Sequence, residues 1–255
     1  MSFKLTAICQ IYNEMEKNNL PRFMDSVKRY CDTLIVYNDG STDDTVKYLS
    51  RGSHMDSYMS EIIFIHGEKN NFKNEIQHKQ KMLEVAVEIG SDWIFWLDCD
   101  EVVEAKGESG GIREVCENAV CNAYGFKEVN LWRDPSFYRL DNSYNDGEFC
   151  RLWKNTGELY YDDRPGLHQR QYPNGIDRID TTDIKVIHYG FSSDDRIVDK
   201  YLTYRSHGQS GWALNRLIDE RTLRVAKSKP EWFRIQPMEA DFNQVFQAPV
   251  AMRIK

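Results

Sequence analysis

The sequence predicts an α/β protein with a mostly parallel central sheet flanked by helices. Three observations carry this: four apolar segments in the first hundred residues, helical periodicity between them, and polar residues directly after each segment. The four segments are LTAICQI (Leu5–Ile11), TLIVYN (Thr33–Asn38), EIIFIH (Glu61–His66) and DWIFWL (92–97). Their nearly continuous apolar runs are those of strands covered on both faces, as in a parallel sheet between helical layers. LPRFMDSVKRYC (20–31) places Leu20, Phe23, Met24, Val27 and Tyr30 at helical spacing. STDDTVKYL (41–49) offers a serine or threonine N-cap followed by acids that suit a helix N-terminus. EIQHKQKMLEVAVEIG (75–90) is a third helix stopped by Gly90. The resulting alternation is that of a doubly wound sheet.

After Glu101 the rhythm changes. A loop and a short helix (112–120) precede strand candidates at Ala123–Trp132, Glu148–Lys154 and 158–162, which suggest a mixed or antiparallel extension. DIKVIHYGF (183–191) reads as a strand carrying a histidine. Two helices are expected within 194–207 and 212–227, then an irregular, aromatic-rich tail. The expected organisation is one half over residues 1–104, a second half of the same domain over 105–191, and C-terminal helices and tail over 192–255.

A chain of 255 residues with 41% hydrophobic content can bury a substantial core. Its formal net charge of -7 argues against general nucleic-acid binding and favours small molecules or neutral glycans. No apolar run approaches the ~18 residues that cross a bilayer, and a cytoplasmic location is the expectation. The six cysteines show no CxxC pair and read as free thiols. RGSHM, beginning at Arg51, resembles a tag remnant lying inside the chain and is assigned no function.

In an open α/β sheet, ligands gather beyond the carboxyl ends of the strands. There the sequence places Tyr12, Asn13 and Glu14, then NDGST (38–42), then HGE, then DCDE (98–101). Asp39 can accept from a base N–H or a ribose hydroxyl, Gly40 permits close backbone approach, and Glu14 can reach polar edges of a nucleoside. In a straight strand Asp98 and Asp100 would share a face and meet one cation, while Cys99 would point away. Oxygen ligands favour Mg²⁺ or Mn²⁺, an ion that bridges carboxylate and phosphate. Each feature alone also reads as a turn former or a solvated strand end.

Together, YNE, NDGSTDDT and DWIFWLDCDE resemble the motifs of family 2 glycosyltransferases, in which an NE dipeptide, a DDGSxDxT segment and a DxD close successive strands. Asn38 departs from the first acid of DDGS, and DCDE is similar to the DADE variant of bacterial surface-glycan transferases. The resemblance implies the nucleotide-sugar-binding GT-A fold and inverting transfer from a nucleoside-diphosphate sugar, a UDP-sugar foremost, to a hydroxyl acceptor such as a glycan. It implies that Tyr12, Glu14, Asp39, Lys79 and Asp98 attend the nucleotide. It likewise assigns Asp98, Asp100 and His188 to a Mn²⁺ or Mg²⁺ ion, the imidazole tilting the choice toward Mn²⁺. Lys200, with Arg196 and His207 at helical spacing, would neutralise the departing diphosphate.

Single displacement also needs a carboxylate to take the acceptor proton. The candidates are Asp162 and Asp163 in LYYDDRPGLHQ, with Glu128 and Glu148 in reserve; His168 is followed by Gln169 where a histidine-glutamate pair is usual. Trp132, Trp153, Tyr160 and Tyr161 are candidates for stacking on a sugar, or for core packing. Two other readings stay open. A sugar nucleotidyltransferase would share the sheet but open with a glycine-rich phosphate loop, and QIYNEMEKNN has no glycine. A nucleotide-sugar or glycan-binding module would keep the fold without a base.

Overall fold

The computed structural model describes residues 3–51, 58–71, 74–141, 144, 147–162, 171–221 and 223–254. The four predicted apolar segments form β1 (Leu5–Ile11), β2 (Thr33–Asn38), β3 (Glu61–His66) and β4 (Trp93–Trp96). β1 pairs in parallel with both β2 and β4, and β2 pairs in parallel with β3. Between them run α1 (Leu20–Val27), α2 (Thr45–Leu49) and α3 (Glu75–Glu88). Alternate side chains of one strand enter opposite layers: Leu5, Ala7 and Cys9 pack with Phe23, Met24 and Val27 of α1, whereas Ile8 packs with Met82, Leu83 and Ala86 of α3. This two-sided burial is why the strand sequences are apolar throughout.

The serine and threonine expected to cap α2 do other work. The helix begins later, after Asp44, whose side chain makes no cap bond. Ser41 Oγ accepts the Asn13 N–H at 3.0 Å, and the Thr42 N–H donates to Asn13 Oδ1 at 2.8 Å. Asp43 Oδ2 accepts from the backbone N–H groups of Met15 and Glu16 at 3.1 and 3.0 Å. These polar residues therefore lace the loop after β2 to the loop after β1, where Asn13 takes a left-handed φ of 51°. Gly40 permits close approach, as expected, but by protein: a Cβ there would lie 2.8 Å from the Lys69 backbone.

The second half wraps an antiparallel extension onto β4. It comprises β5 (Glu101–Val103), α4 (Ile112–Glu117), β6 (Ala123–Trp132), β7 (Asp134–Arg139), β8 (Glu148–Lys154) and β9 (Asp180–His188). The chain ends through α5 (Asp194–Ser206), α6 (Trp212–Asn215), β10 (Val225–Lys227) and α7 (Phe242–Val245). The sheet runs β10-β7-β6-β8-β4-β1-β2-β3, with β9 held between β5 and β6. β8 is antiparallel to β4, while β9 is parallel to β6 and antiparallel to β5.

Two expected elements differ in the structure. The helix expected over 212–227 stops at Asn215, because Val225, Ala226 and Lys227 pair with Arg139, Tyr138 and Phe137 at the free edge of β7. The strand expected at 158–162 reduces to one bridge, Tyr160 with Asn174. β5, β7 and β10 were not anticipated: β5 and β10 span three residues each and β7 contains Pro135, so sheet pairing rather than propensity defines them.

The C-terminal elements are fastened by Arg133, itself in a left-handed turn with φ of 63° between β6 and β7. Its Nε and one terminal amine donate to Asp194 at 2.6 and 3.1 Å, and the same amine donates to the Ala248 carbonyl at 2.7 Å. The side chain is 3% exposed, and removing it takes from Asp194 one of two arginine partners, the other being Arg253 at 3.0 Å, and from Glu220 a nearby cation. Arg133→Ala should cost ~3–5 kcal/mol in chemical denaturation, a loss that Arg133→Lys recovers only in part.

Candidate active site

β4 ends before the acids. Leu97 to Asp100 leave the strand in a turn closed by the Glu101 N–H donating to the Asp98 carbonyl at 2.9 Å. The straight-strand argument that puts Asp98 and Asp100 on one face therefore does not hold: the turn sends their carboxylates to different partners. Cys99 does point away, buried in the layer beneath α1.

Asp98 leans toward Arg151, whose guanidinium lies 3.8 Å from its Oδ2, and its side chain remains 47% exposed. Arg151 projects from the middle of β8 and is 1% exposed. It donates to Glu101 Oε1 in a very short contact and to Glu128 Oε2 at 2.9 Å. Against burial, which works the other way, Glu101, Asp98 and Glu128 raise the guanidinium pKa. Glu101 Oε2 meanwhile accepts the Asp98 N–H at 2.9 Å. Glu101 thus holds the turn.

Asp100 turns the other way. Its backbone carbonyl accepts from the Tyr189 N–H at 2.8 Å, and its Oδ2 lies 2.9 Å from Lys200 Nζ and 3.2 Å from His188 Nε2. Lys200 Nζ is 3.1 Å from the same imidazole nitrogen. Burial would raise the Asp100 pKa, but Lys200 and His188 hold it well below the carboxylate range. β9 lies beside both β5 and β6, which places His188 opposite Glu101 and next to Asn130.

The imidazole tautomer follows from the partners. Asn130 Nδ2 donates to the Tyr144 carbonyl at 3.3 Å, so Asn130 Oδ1 faces His188 and accepts from Nδ1–H at 2.7 Å. In the neutral ring the Nε2 lone pair is then directed at Asp100 and Lys200, the arrangement by which a hydrogen-bonded histidine is prepared to ligate a cation. Gly190 makes room, since a Cβ there would sit 2.3 Å from His188 Nε2, 2.3 Å from Lys200 Nζ and 2.6 Å from Asp100 Oδ2. Oxygen plus imidazole is a donor pair that suits Mn²⁺. Among the described residues, however, no three His, Cys, Asp or Glu side chains gather as a cation site. The pair Asp100 and His188 fits a cation; Asp98 stands apart with Arg151.

The nucleoside end is more enclosed than the sequence implied. Asp39 is buried, with Oδ1 accepting the Asn71 N–H at 2.9 Å and Oδ2 near the side-chain amides of Asn70 at 3.2 Å and Gln10 at 3.4 Å. Burial raises its pKa, opposed by the Asn71 and Gln10 N–H groups. Both Glu14 oxygens already have partners, Lys17 and Asn19, each at 2.8 Å. Tyr12 is exposed at the end of β1. Lys79 is fully buried; it pairs with Glu75 at 2.5 Å and lies 4.5 Å over the Trp96 ring.

The other expected residues divide. Arg196 donates to Asn19 Oδ1 at 2.7 Å and to the Lys17 carbonyl, pinning α5 to the first loop and not joining Lys200. His207 bonds the Thr203 carbonyl at the end of its own helix. Trp132, Trp153 and Tyr161 are core residues, while Tyr160 is exposed. Asp162 is exposed beside Tyr161, whose N–H is anchored on Gln80 of α3 at 2.8 Å; Asp163 and His168 lie outside the described residues. Glu148 is exposed on β8, and Glu128 belongs to the Arg151 cluster. Arg151 and Asn130 were missed. The available cue was a charged or amide residue within an apolar strand, at EFCRLWK and KEVNLW.

A parallel sheet whose acids meet at its carboxyl rim, extended by antiparallel strands, defines a GT-A domain. The chain belongs to glycosyl transferase family 2, whose sequence profile matches residues 6–160. No curated protein matches it significantly. Its fold is similar to S. aureus TarS, with a TM-score of 0.50 and 11% identity over 86% of this chain and 42% of that chain. The TarS 1–349 structure in complex with UDP gives the same TM-score and identity, covering 70% of that chain. A mannosyltransferase from Pyrobaculum calidifontis, in complex with GDP-Man and Mn²⁺, has a TM-score of 0.45 and 13% identity over 84% of this chain and 67% of that one. This chain thus spans less than half of the full TarS chain. No helix among the described residues is long and apolar enough to cross a membrane.

Two predictions follow from the geometry. Gly190→Ala must push apart the three groups it now accommodates, so it should lower stability by ~1–3 kcal/mol in urea titration and move the His188 ring resonances. His78 of α3 stacks on Tyr37, with centroids 3.9 Å apart, and burial together with Lys81 pushes its pKa down to about 4. A histidine with a lowered folded-state pKa is charged first in the unfolded chain, so stability should fall as pH drops from ~6.5 toward ~4. His78→Phe should flatten that part of the stability profile.

Proposed function

We propose that this protein is a cation-dependent, inverting glycosyltransferase that moves a sugar from a nucleoside-diphosphate sugar, UDP-linked by preference, to a hydroxyl on a glycan. Family membership supports the reaction class. The observation that carries the rest is the charge at the rim, where Asp98, Asp100, Glu101 and Glu128 face the two cations Arg151 and Lys200. A diphosphate brought against this excess of carboxylate would be repelled unless a divalent cation accompanied it.

Asp100 and His188 would hold Mn²⁺ or Mg²⁺, with Asp98 turning from Arg151 to complete the set. When bound, the ion supplies a Lewis acid for charge growing on the leaving diphosphate. Tyr12 and Asp39 border the nucleotide, Lys79 supports that end from beneath through Glu75 and Trp96, and Glu14 supports the loop that carries Tyr12. Lys200 is the diphosphate-side cation. Asp162 takes the acceptor proton, with Asp163 as its neighbour; Glu128 suits this role less, because His188 and Arg151 keep its pKa low against the effect of burial.

A panel of nucleotide sugars with Mn²⁺ should release one nucleoside diphosphate, and the same nucleotide should raise the melting temperature. Asp100→Ala should lower turnover by at least ~10²-fold with the fold intact. Asp162→Asn should stop turnover while nucleotide binding persists; full activity in that variant would transfer the base to another carboxylate. Absence of both nucleotide binding and turnover across the panel would defeat the proposal.

A further inference from the structure

The cation seat formed by Asp100 and His188 has an occupant built into the chain. Asp100 Oδ2 and His188 Nε2 lie 3.2 Å apart. With Nδ1–H committed to Asn130, the neutral ring presents Nε2 to Asp100 as a second acceptor. Two acceptors this close need a shared cation or proton. The Lys200 ammonium meets both, at 2.9 Å from Asp100 Oδ2 and 3.1 Å from His188 Nε2.

Four supports fix this arrangement. Asn130 sets the imidazole tautomer, and the β5, β9, β6 register sets its position. Gly190 allows the three atoms to converge. The Lys200 ammonium also lies 4.7 Å from the Phe191 ring centroid, so part of its surroundings is aromatic rather than water. An ammonium here meets the same oxygen and nitrogen lone pairs that a divalent ion would use.

We infer that Lys200 and the divalent cation compete for Asp100 and His188: Lys200 fills the seat in the donor-free protein and is displaced toward the diphosphate when the metal enters. The inference rests on the reading of Asp100 and His188 as cation ligands and adds an order of events to it. The ammonium keeps the carboxylates neutralised before donor arrives. Once displaced on its flexible stem, it becomes available as a counter-charge for the leaving group, linking metal entry to preparation of the diphosphate site. The cost of expelling Lys200 makes metal binding weak in the absence of donor and stronger in its presence.

The test is Mn²⁺ binding without donor, followed through the free-ion electron paramagnetic resonance signal. Lys200→Met should bind Mn²⁺ at least about tenfold more tightly than the unaltered protein, and Lys200→Met/Asp100→Asn should lose that gain. If Lys200→Met binds no more tightly, although Asp100→Asn still weakens binding, the competition is overturned while the metal site stands. If no chain binds Mn²⁺, the metal reading and this inference fall together.

A second measurement does not depend on the variant folding. In the unaltered protein, brief acetylation read by mass spectrometry should modify Lys200 more extensively after Mn²⁺ is added, relative to an exposed reference such as Lys47. Unchanged or reduced modification at Lys200 in saturating Mn²⁺ would overturn displacement.

Discussion

The Arg151 guanidinium holds the two halves of this protein in register. It rises from β8, the strand that joins the antiparallel extension to the parallel sheet at β4, and reaches Glu101 on β5 and Glu128 on β6. Through Glu101 it also fixes the turn that carries Asp98 and Asp100. A buried ion cluster of this type contributes little net stability over an apolar alternative, but loss of one partner leaves charges uncompensated. Its value lies in position: the arginine meets both carboxylates only when β5, β6 and β8 are all in place.

The active rim inherits its geometry from that constraint. β9 can enter between β5 and β6 only if those strands are correctly spaced, and its last residue, His188, then meets Asp100 across the sheet. Asn130 and Tyr144 orient the ring from the far side. The two residues proposed as cation ligands are thus drawn from segments 88 residues apart, and the supporting groups come from two further elements. This dispersal explains why Asp98 and Asp100, neighbours in sequence, do different things. Asp98 faces the arginine cluster and open solvent, whereas Asp100 faces the lysine and the histidine.

The extent to which all this was legible in sequence differs between features. The parallel strands were readable because burial on both faces demands unbroken apolar runs, and GT-A membership was readable because YNE, NDGSTDDT and DCDE recur in a fixed order. The rim acids were located. The exact offices of NDGSTDDT were not: Ser41, Thr42 and Asp43 bind the first loop instead of capping a helix. Lys79 reads as a solvated helix charge or a ligand from sequence alone; its burial against Trp96 depends on how α3 packs on the sheet. Arg196 illustrates the opposite case, since helical spacing relates it to Lys200, yet its guanidinium is spent on Asn19 and Lys17.

By itself the sequence determined the fold class, the order of the parallel strands' chemistry and the family, because local apolar periodicity and short motifs encode them directly. Tertiary structure alone decided that β7 and β10 pair, that 212–227 is not one helix, and that Arg151 and Asn130 serve the site. It also decided that an ammonium rests between Asp100 and His188. Those outcomes depend on contacts between residues distant in the chain, and no local pattern specifies which buried polar groups will meet. The physical reason is satisfaction: a buried charge or amide must find partners, and only the assembled sheet determines which partners are within reach.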